Sequence, residues 1–304
     1  MKETQFVIEA VDVESMAKES GLSVLQLLAS LAESAKSLAR PPISKYPVGV
    51  AGLGSNGRIF LGVNLEFPGL PLHHSVHAEQ FMITNAAING ETQLRYIAGS
   101  SAPCGHCRQF MQELRNASDI NILITSTTQH GRDAEAVFRP ISDFLPHRFG
   151  PEDLLNKDVP LLLEPRHNGL AFNNDDHSSI KTTGDVMAED YEEKKDKLKL
   201  AALEAANESH APYSGCPSGA ALMDTEGRIY KGWYTESAAY NPSFGPVQAA
   251  LVAYVAAGGG GGYEEIVAGA LVEKEGAVVG QEGTARLLLR LVSPRCELKV
   301  FHCK

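Results

Sequence analysis

The chain repeats itself. Residues 39–62 and 209–232 align without a gap at an offset of 170 and share nine identities in 24 positions. The matched pairs are Pro42/Pro212, Ser44/Ser214, Pro47/Pro217, Gly49/Gly219, Ala51/Ala221, Gly57/Gly227, Arg58/Arg228, Ile59/Ile229 and Gly62/Gly232, with Phe60 opposite Tyr230. Prolines and glycines carry much of the match, and their backbone requirements make chance agreement improbable. The chain must therefore hold two copies of one supersecondary unit, and 304 residues accommodate two domains.

Each copy has the same coarse order. Apolar residues at helical spacing predict a helix over 23–38 in the first copy and 191–209 in the second. A hairpin turning at 55–57 or 225–227 follows, then a helix over 77–89 or 247–257 and a strand over 94–100 or 265–272. A third helix at 107–114 or 284–291 precedes a last strand at 121–126 or 297–302. This alternation predicts an α/β fold with two tandem domains, each a mixed β-sheet flanked by helices. The expected divisions are an N-terminal segment 1–22, a first domain 23–163, a polar linker 164–190 and a second domain 191–304. The glycine run in 256–265 is read as a loop. It precedes a strand and lacks the Lys-Ser/Thr ending of a phosphate cradle.

The formal net charge is −10, and the densest basic run, Lys194–Lys199, follows an acidic stretch on one helix face. A chain that grips a polyphosphate backbone needs a basic stripe, so long nucleic acid is an unexpected partner. The five cysteines are too few and too odd in number for a secreted disulfide framework. The N-terminus shows no signal-peptide pattern, and no apolar run has transmembrane length. A cytoplasmic location is expected, with no membrane partner.

The chemistry is concentrated in two motifs. "PCGHC" places Cys104 and Cys107 at the start of a helix, where the dipole and free N–H groups favour thiolate. "VHAEQF" places His77 and Glu79 at the start of the preceding helix. Two helix N-termini on one sheet edge can gather His77, Cys104 and Cys107 around Zn²⁺. Three protein ligands leave the fourth position of a catalytic site open. Glu79 would stand beside the metal, placed to accept and return a proton. A His-x-Glu paired with Pro-Cys-x-x-Cys is the known signature of zinc nucleobase deaminases. A redox dithiol, or a structural zinc closed by His73, His74 or His106, are the alternatives these residues leave open.

On these motifs and the duplication, the chain resembles the cytidine deaminase family in its longer, two-domain, dimeric form, over nearly its whole length. The resemblance implies a catalytic first copy and a degenerate second one, because Val247 and Ala249 stand at the positions of His77 and Glu79. It implies that Asn64 and Glu66, in "GVNLEF", bind the sugar 3′-hydroxyl and that Tyr46 lies against the pyrimidine, where the family usually has Phe. It further implies that the Ala78 backbone binds the base, that Phe149 lines the pocket, and that Ala238 and Ala239 reach into the site of the partner subunit in a homodimer.

The reaction so implied is hydrolytic deamination of cytidine and 2′-deoxycytidine to uridine and 2′-deoxyuridine with release of ammonia, a step of pyrimidine salvage. The cofactor is Zn²⁺ and Glu79 is the proton carrier. Two other readings stay open on sequence alone: a superfamily deaminase acting on another base or on a nucleotide, and a non-catalytic zinc-stabilised binding protein.

Overall fold

The computed structural model describes residues 6–127, 137–172, 186–259 and 262–304. The chain divides into two compact units. The first comprises Met1–Pro165 with Ser237–Ser243 and Ala256–Gly258; the second comprises Arg166–Glu236, Phe244–Val255 and Gly259–Lys304. Among the described residues there are seven α-helices and two mixed sheets.

In the first unit, β1 (Val7–Ile8) and α1 (Ala10–Ser20) precede α2 (Val24–Ala35). Ser23 caps α2 reciprocally with Gln26, each side chain bonding the other's backbone N–H. The hairpin β2 (Gly49–Gly54) and β3 (Ile59–Val63) is followed by α3 (Ala78–Ile88), β4 (Leu94–Gly99), α4 (Gly105–Phe110) and β5 (Asn121–Ile124). With β6 (Arg139–Pro140) these strands form a sheet ordered β1-β3-β2-β4-β5-β6. Only the β4–β5 pair is parallel.

The second unit contains α5 (Val186–Asn207), β7 (Ser218–Asp224), β8 (Ile229–Trp233), α6 (Pro246–Ala256), β9 (Ile266–Lys274), α7 (Glu282–Val292) and β10 (Glu297–Cys303). Its sheet runs β10-β9-β7-β8, the order of the inner strands of the first sheet, again with one parallel pair, β9–β10. Even the irregularities match. The register of the central strand slips at Leu53/Gly54 in one sheet and at Met223/Asp224 in the other.

Two of the repeated glycines explain why the repeat survives in the sequence. A Cβ on Gly49 would collide with the carbonyl of Ala32 in α2, and one on Gly62 with the carbonyl of Ala78 in α3. Gly219 and Gly232 meet α5 and α6 in the same way. Gly52 abuts Met82, so α2 and α3 cover opposite faces of β2, as strand alternation requires. Backbone packed this closely tolerates no side chain. Gly62→Ala should cost about 1–3 kcal/mol, since it pushes the first turn of α3 off the sheet. A thermal unfolding midpoint equal to that of the parent chain would contradict this packing.

Residues 6–22 of the N-terminal segment are a packed strand and helix. Phe6 stacks on Phe81 at 5.1 Å, and the Asn85 amide donates to the carbonyls of Phe6 and Leu61. In the stretch read as a linker, residues 173–185 lie outside the described residues. What precedes them packs: Leu170 is buried and bonded to Asn207, and Ala171 exchanges backbone bonds with Lys304. The Lys199 ammonium lies 4.2 Å above the Phe172 ring. Helix α5 starts at Val186, also within that stretch. The centre of the glycine run, residues 260–261, lies outside the described residues.

Candidate active site

His77 and Cys104 are the N-cap residues of α3 and α4, both with extended backbone. Cys107 lies in the first turn of α4 and is fully buried. The two sulfurs are 3.6 Å apart, and the His77 Nδ1 is 3.4 Å from Cys104 Sγ and 3.3 Å from Cys107 Sγ. Tetrahedral zinc, with bonds of about 2.3 Å to sulfur and about 2.0 Å to nitrogen, sets its ligand atoms about 3.5–3.8 Å apart. The donor set fits zinc in both chemistry and spacing.

The same geometry separates the ligands from their neighbours. Among the described residues, His77, Cys104 and Cys107 are the one group of three or more potential ligands whose atoms lie mutually within 4.8 Å. Glu79 is outside that group, yet its Oε2 is 3.2 Å from Cys107 Sγ. His106 stacks on the His77 ring at 4.9 Å, and His73 and His74 pair with each other. None of these three histidines joins the donor set, so three protein ligands stand with the fourth position open. The structural-zinc alternative required one of them.

Electrostatics follow from burial and from contacts within the cluster. The hydrogen bond from Cys107, reinforced by His77, pulls the Cys104 thiol down to about 3. The same bond to Cys104, with burial, pushes Cys107 up. His77 is raised by its bond to Cys104 against the effect of burial. Glu79 is buried, and that burial pushes its carboxyl above the ordinary carboxylate range. A carboxyl so placed holds its proton more tightly than an exposed one.

Asn64, Glu66 and Tyr46 form a second cluster, around the loop 41–48. The Asn64 amide accepts from Val48 N at 2.8 Å and donates to the Tyr46 carbonyl at 3.0 Å. Glu66 Oε2 accepts the Ile43 and Ser44 amides, and Oε1 accepts the Ser44 hydroxyl at 2.5 Å. Burial opposes the Glu66 charge, but the Ser44 and Ile43 hydrogen bonds outweigh it and hold the carboxyl below its ordinary range. The Tyr46 hydroxyl lies 2.9 Å from Ser101 Oγ, three residues before Cys104. Sequence reasoning gave Ser44 and Ser101 no role. For Ser44 a signal existed in its identity with Ser214; for Ser101 there was none.

The remaining predicted residues are spread over unit one. Ala78 is buried in the first turn of α3 against β3. The Phe149 carbonyl accepts from Gln109 of α4 at 2.6 Å, while the residue is 45% exposed. The Ala238 amide donates to the buried carboxylate of Glu113 at 2.7 Å, and Ala239 N lies 3.4 Å from Ser237 Oγ. The structure thus ties Ala238 to the first unit of its own chain. Cys216, Cys296 and Cys303 belong to no ligand group among the described residues. Burial holds Cys296 up at about 12 and Cys303 at about 11, as inert thiols.

Comparison with known proteins agrees with this geometry. Residues 22–123 and 141–286 each match the "Cytidine and deoxycytidylate deaminase zinc-binding region". The chain is 58% identical to "Cytidine deaminase 1" of Arabidopsis thaliana, over 100% of this chain and 99% of that one. It is 48% identical to "Cytidine deaminase 6" of the same plant, over 95% and 96%. It is also 42% identical to a "Probable inactive cytidine deaminase 4", over 94% and 92%. Overall similarity therefore does not decide turnover.

Proposed function

This chain belongs to the zinc-binding cytidine deaminase family, and from that premise we propose that it hydrolyses cytidine and 2′-deoxycytidine to the uracil nucleosides and ammonia. The observation that carries the proposal is the position of Glu79, 3.2 Å from a metal-ligating thiol yet outside the ligand group. His77, Cys104 and Cys107 would hold zinc, which would supply a Lewis acid to acidify the attacking water. Both thiols must shed their protons to serve as ligands, which frees Glu79 from the Cys107 S–H. Its carboxylate can then take a proton from the attacking water. It passes that proton to N3 of the cytosine ring as the C4–O bond forms. It next takes the proton of the new C4 hydroxyl and gives it to the amino group as the C4–N bond breaks, so that the carbonyl forms and ammonia leaves.

The hydrogen-bond inventory of the sugar pair supports a nucleoside ligand. Asn64 has an N–H to spare after its bond to Tyr46, and Glu66 Oε1 has a lone pair to spare after its bond to Ser44. One donor and one acceptor side by side suit a hydroxyl, and the 3′-hydroxyl is common to cytidine and 2′-deoxycytidine. The Glu66 charge disfavours phosphate nearby. Tyr46, Ala78 and Phe149 are assigned to the base, with Ala238 and Ala239 at the site's border.

Catalysis is assigned to residues 23–163, and 191–304 are given a structural and dimer-forming role, since Val247 and Ala249 replace His77 and Glu79 there. The role in pyrimidine salvage follows from a free nucleoside as substrate. A reducing, cytoplasmic setting suits a site whose two ligating thiols must stay reduced. No helix among the described residues is long and apolar enough to cross a membrane.

Ultraviolet assays with cytidine, 2′-deoxycytidine and CMP side by side test the substrate class. Both nucleosides should be consumed and CMP should not. Equal rates on CMP would overturn the nucleoside assignment.

A further inference from the structure

The loop that carries Tyr46 is held by two devices, and comparison of the repeats separates them. The first is a carboxylate clamp. In the second repeat Glu236 accepts the amides of Tyr213 and Ser214 and the Ser214 hydroxyl, and Ser214 Oγ accepts Cys216 N. This is the pattern of Glu66, Ser44 and Tyr46 N, bond for bond. A clamp that persists in a half without metal ligands belongs to the architecture of the loop. The second device is present in the first repeat alone. Tyr46 corresponds to Cys216 by the offset of the repeat. Val50 pairs with Gly99 and Ala220 with Leu271, so two residues further on Ser101 corresponds to Glu273. Glu273 instead accepts the Gln281 amide, and the Cys216 thiol turns to the Ser214 carbonyl at 3.4 Å. The strut between Tyr46 and Ser101 has no counterpart in the half that lost its chemistry.

We infer that Ser101 is a positioning residue that acts through the Tyr46 hydroxyl. The strut joins the loop 41–48 to the segment leading into Cys104 and so fixes the base-facing loop relative to the metal ligands. This inference rests on the proposed function for its kinetic consequence, but its structural content is independent of turnover. Asn64 grips the same loop at Tyr46 O and Val48 N. Loosening the strut therefore shifts the ring of Tyr46 without releasing the loop altogether. A contact made equally to substrate and transition state acts on KM rather than on kcat.

Tyr46→Phe and Ser101→Ala each delete one side of the strut and spare the ring, the clamp and the ligands. Each should raise the KM for cytidine about two- to tenfold, the range of one hydrogen bond, with zinc content unchanged. The double variant should be no worse than either single one, because both remove the same bond. Amide exchange at Tyr46 and Val48, measured on the same proteins, should quicken in all three. Additive effects in the double variant, or unchanged exchange at the loop, would overturn the inference. Quickened, non-additive exchange in a wild-type chain that leaves cytidine intact would uphold the strut and refute the proposed function instead.

Discussion

The Glu79→Gln variant retains zinc and turns over cytidine on the order of 10²–10⁴-fold more slowly, the usual contribution of a positioned acid–base group. The substitution keeps the shape of the side chain and removes the site of protonation. Zinc retention follows because Glu79 lies outside the donor set. Stability should hold or rise, since burial already disfavours the charged carboxylate and an amide carries no such cost. Three readouts test this together: kcat on cytidine, metal content and thermal midpoint. A kcat within a few-fold of the parent, or a variant stripped of zinc, would show that Glu79 has a different role.

Cys104→Ala has a larger effect. Removing one of three protein ligands leaves a histidine and one thiolate, which cannot hold zinc at a site whose fourth position is already open. Metal content should fall below about a tenth of stoichiometric, and turnover with it. Stability should also fall, because metal bound only by the folded state contributes to folding. A chelator control isolates that contribution. Treated parent protein should unfold near the temperature of the variant, while the variant itself should not respond. Full zinc content in Cys104→Ala would mean that the three ligand atoms do not meet on one metal.

The sequence carried the fold in its repeat, and the structure shows why. Gly49, Gly62, Gly219 and Gly232 recur because helix backbone lies against the strand at each of them. Ser44 and Ser214 recur because each closes the clamp on a carboxylate 22 residues on. The metal group was legible for a related reason: its ligands cap two helices, so chemistry and local structure share the same short motifs. What the sequence hid depends on distance along the chain. The strand Val7–Ile8 is too short to show a period, and its pairing with β3 spans some fifty residues. Leu170 and Phe172 are isolated apolar residues in a polar stretch, and the core built by α5, β7, β9 and β10 gives them a surface to cover. The contact of Tyr46 with Ser101, 55 residues apart, leaves no pattern to read.

The most direct test loads the purified chain with zinc to stoichiometry, mixes it with cytidine, and follows ultraviolet absorbance and ammonia release together. Equal amounts of uridine and ammonia, formed over many turnovers, are the expected result. A zinc-replete chain with intact Glu79 that leaves cytidine unchanged would contradict the account. It would mark His77, Cys104 and Cys107 as a structural metal site.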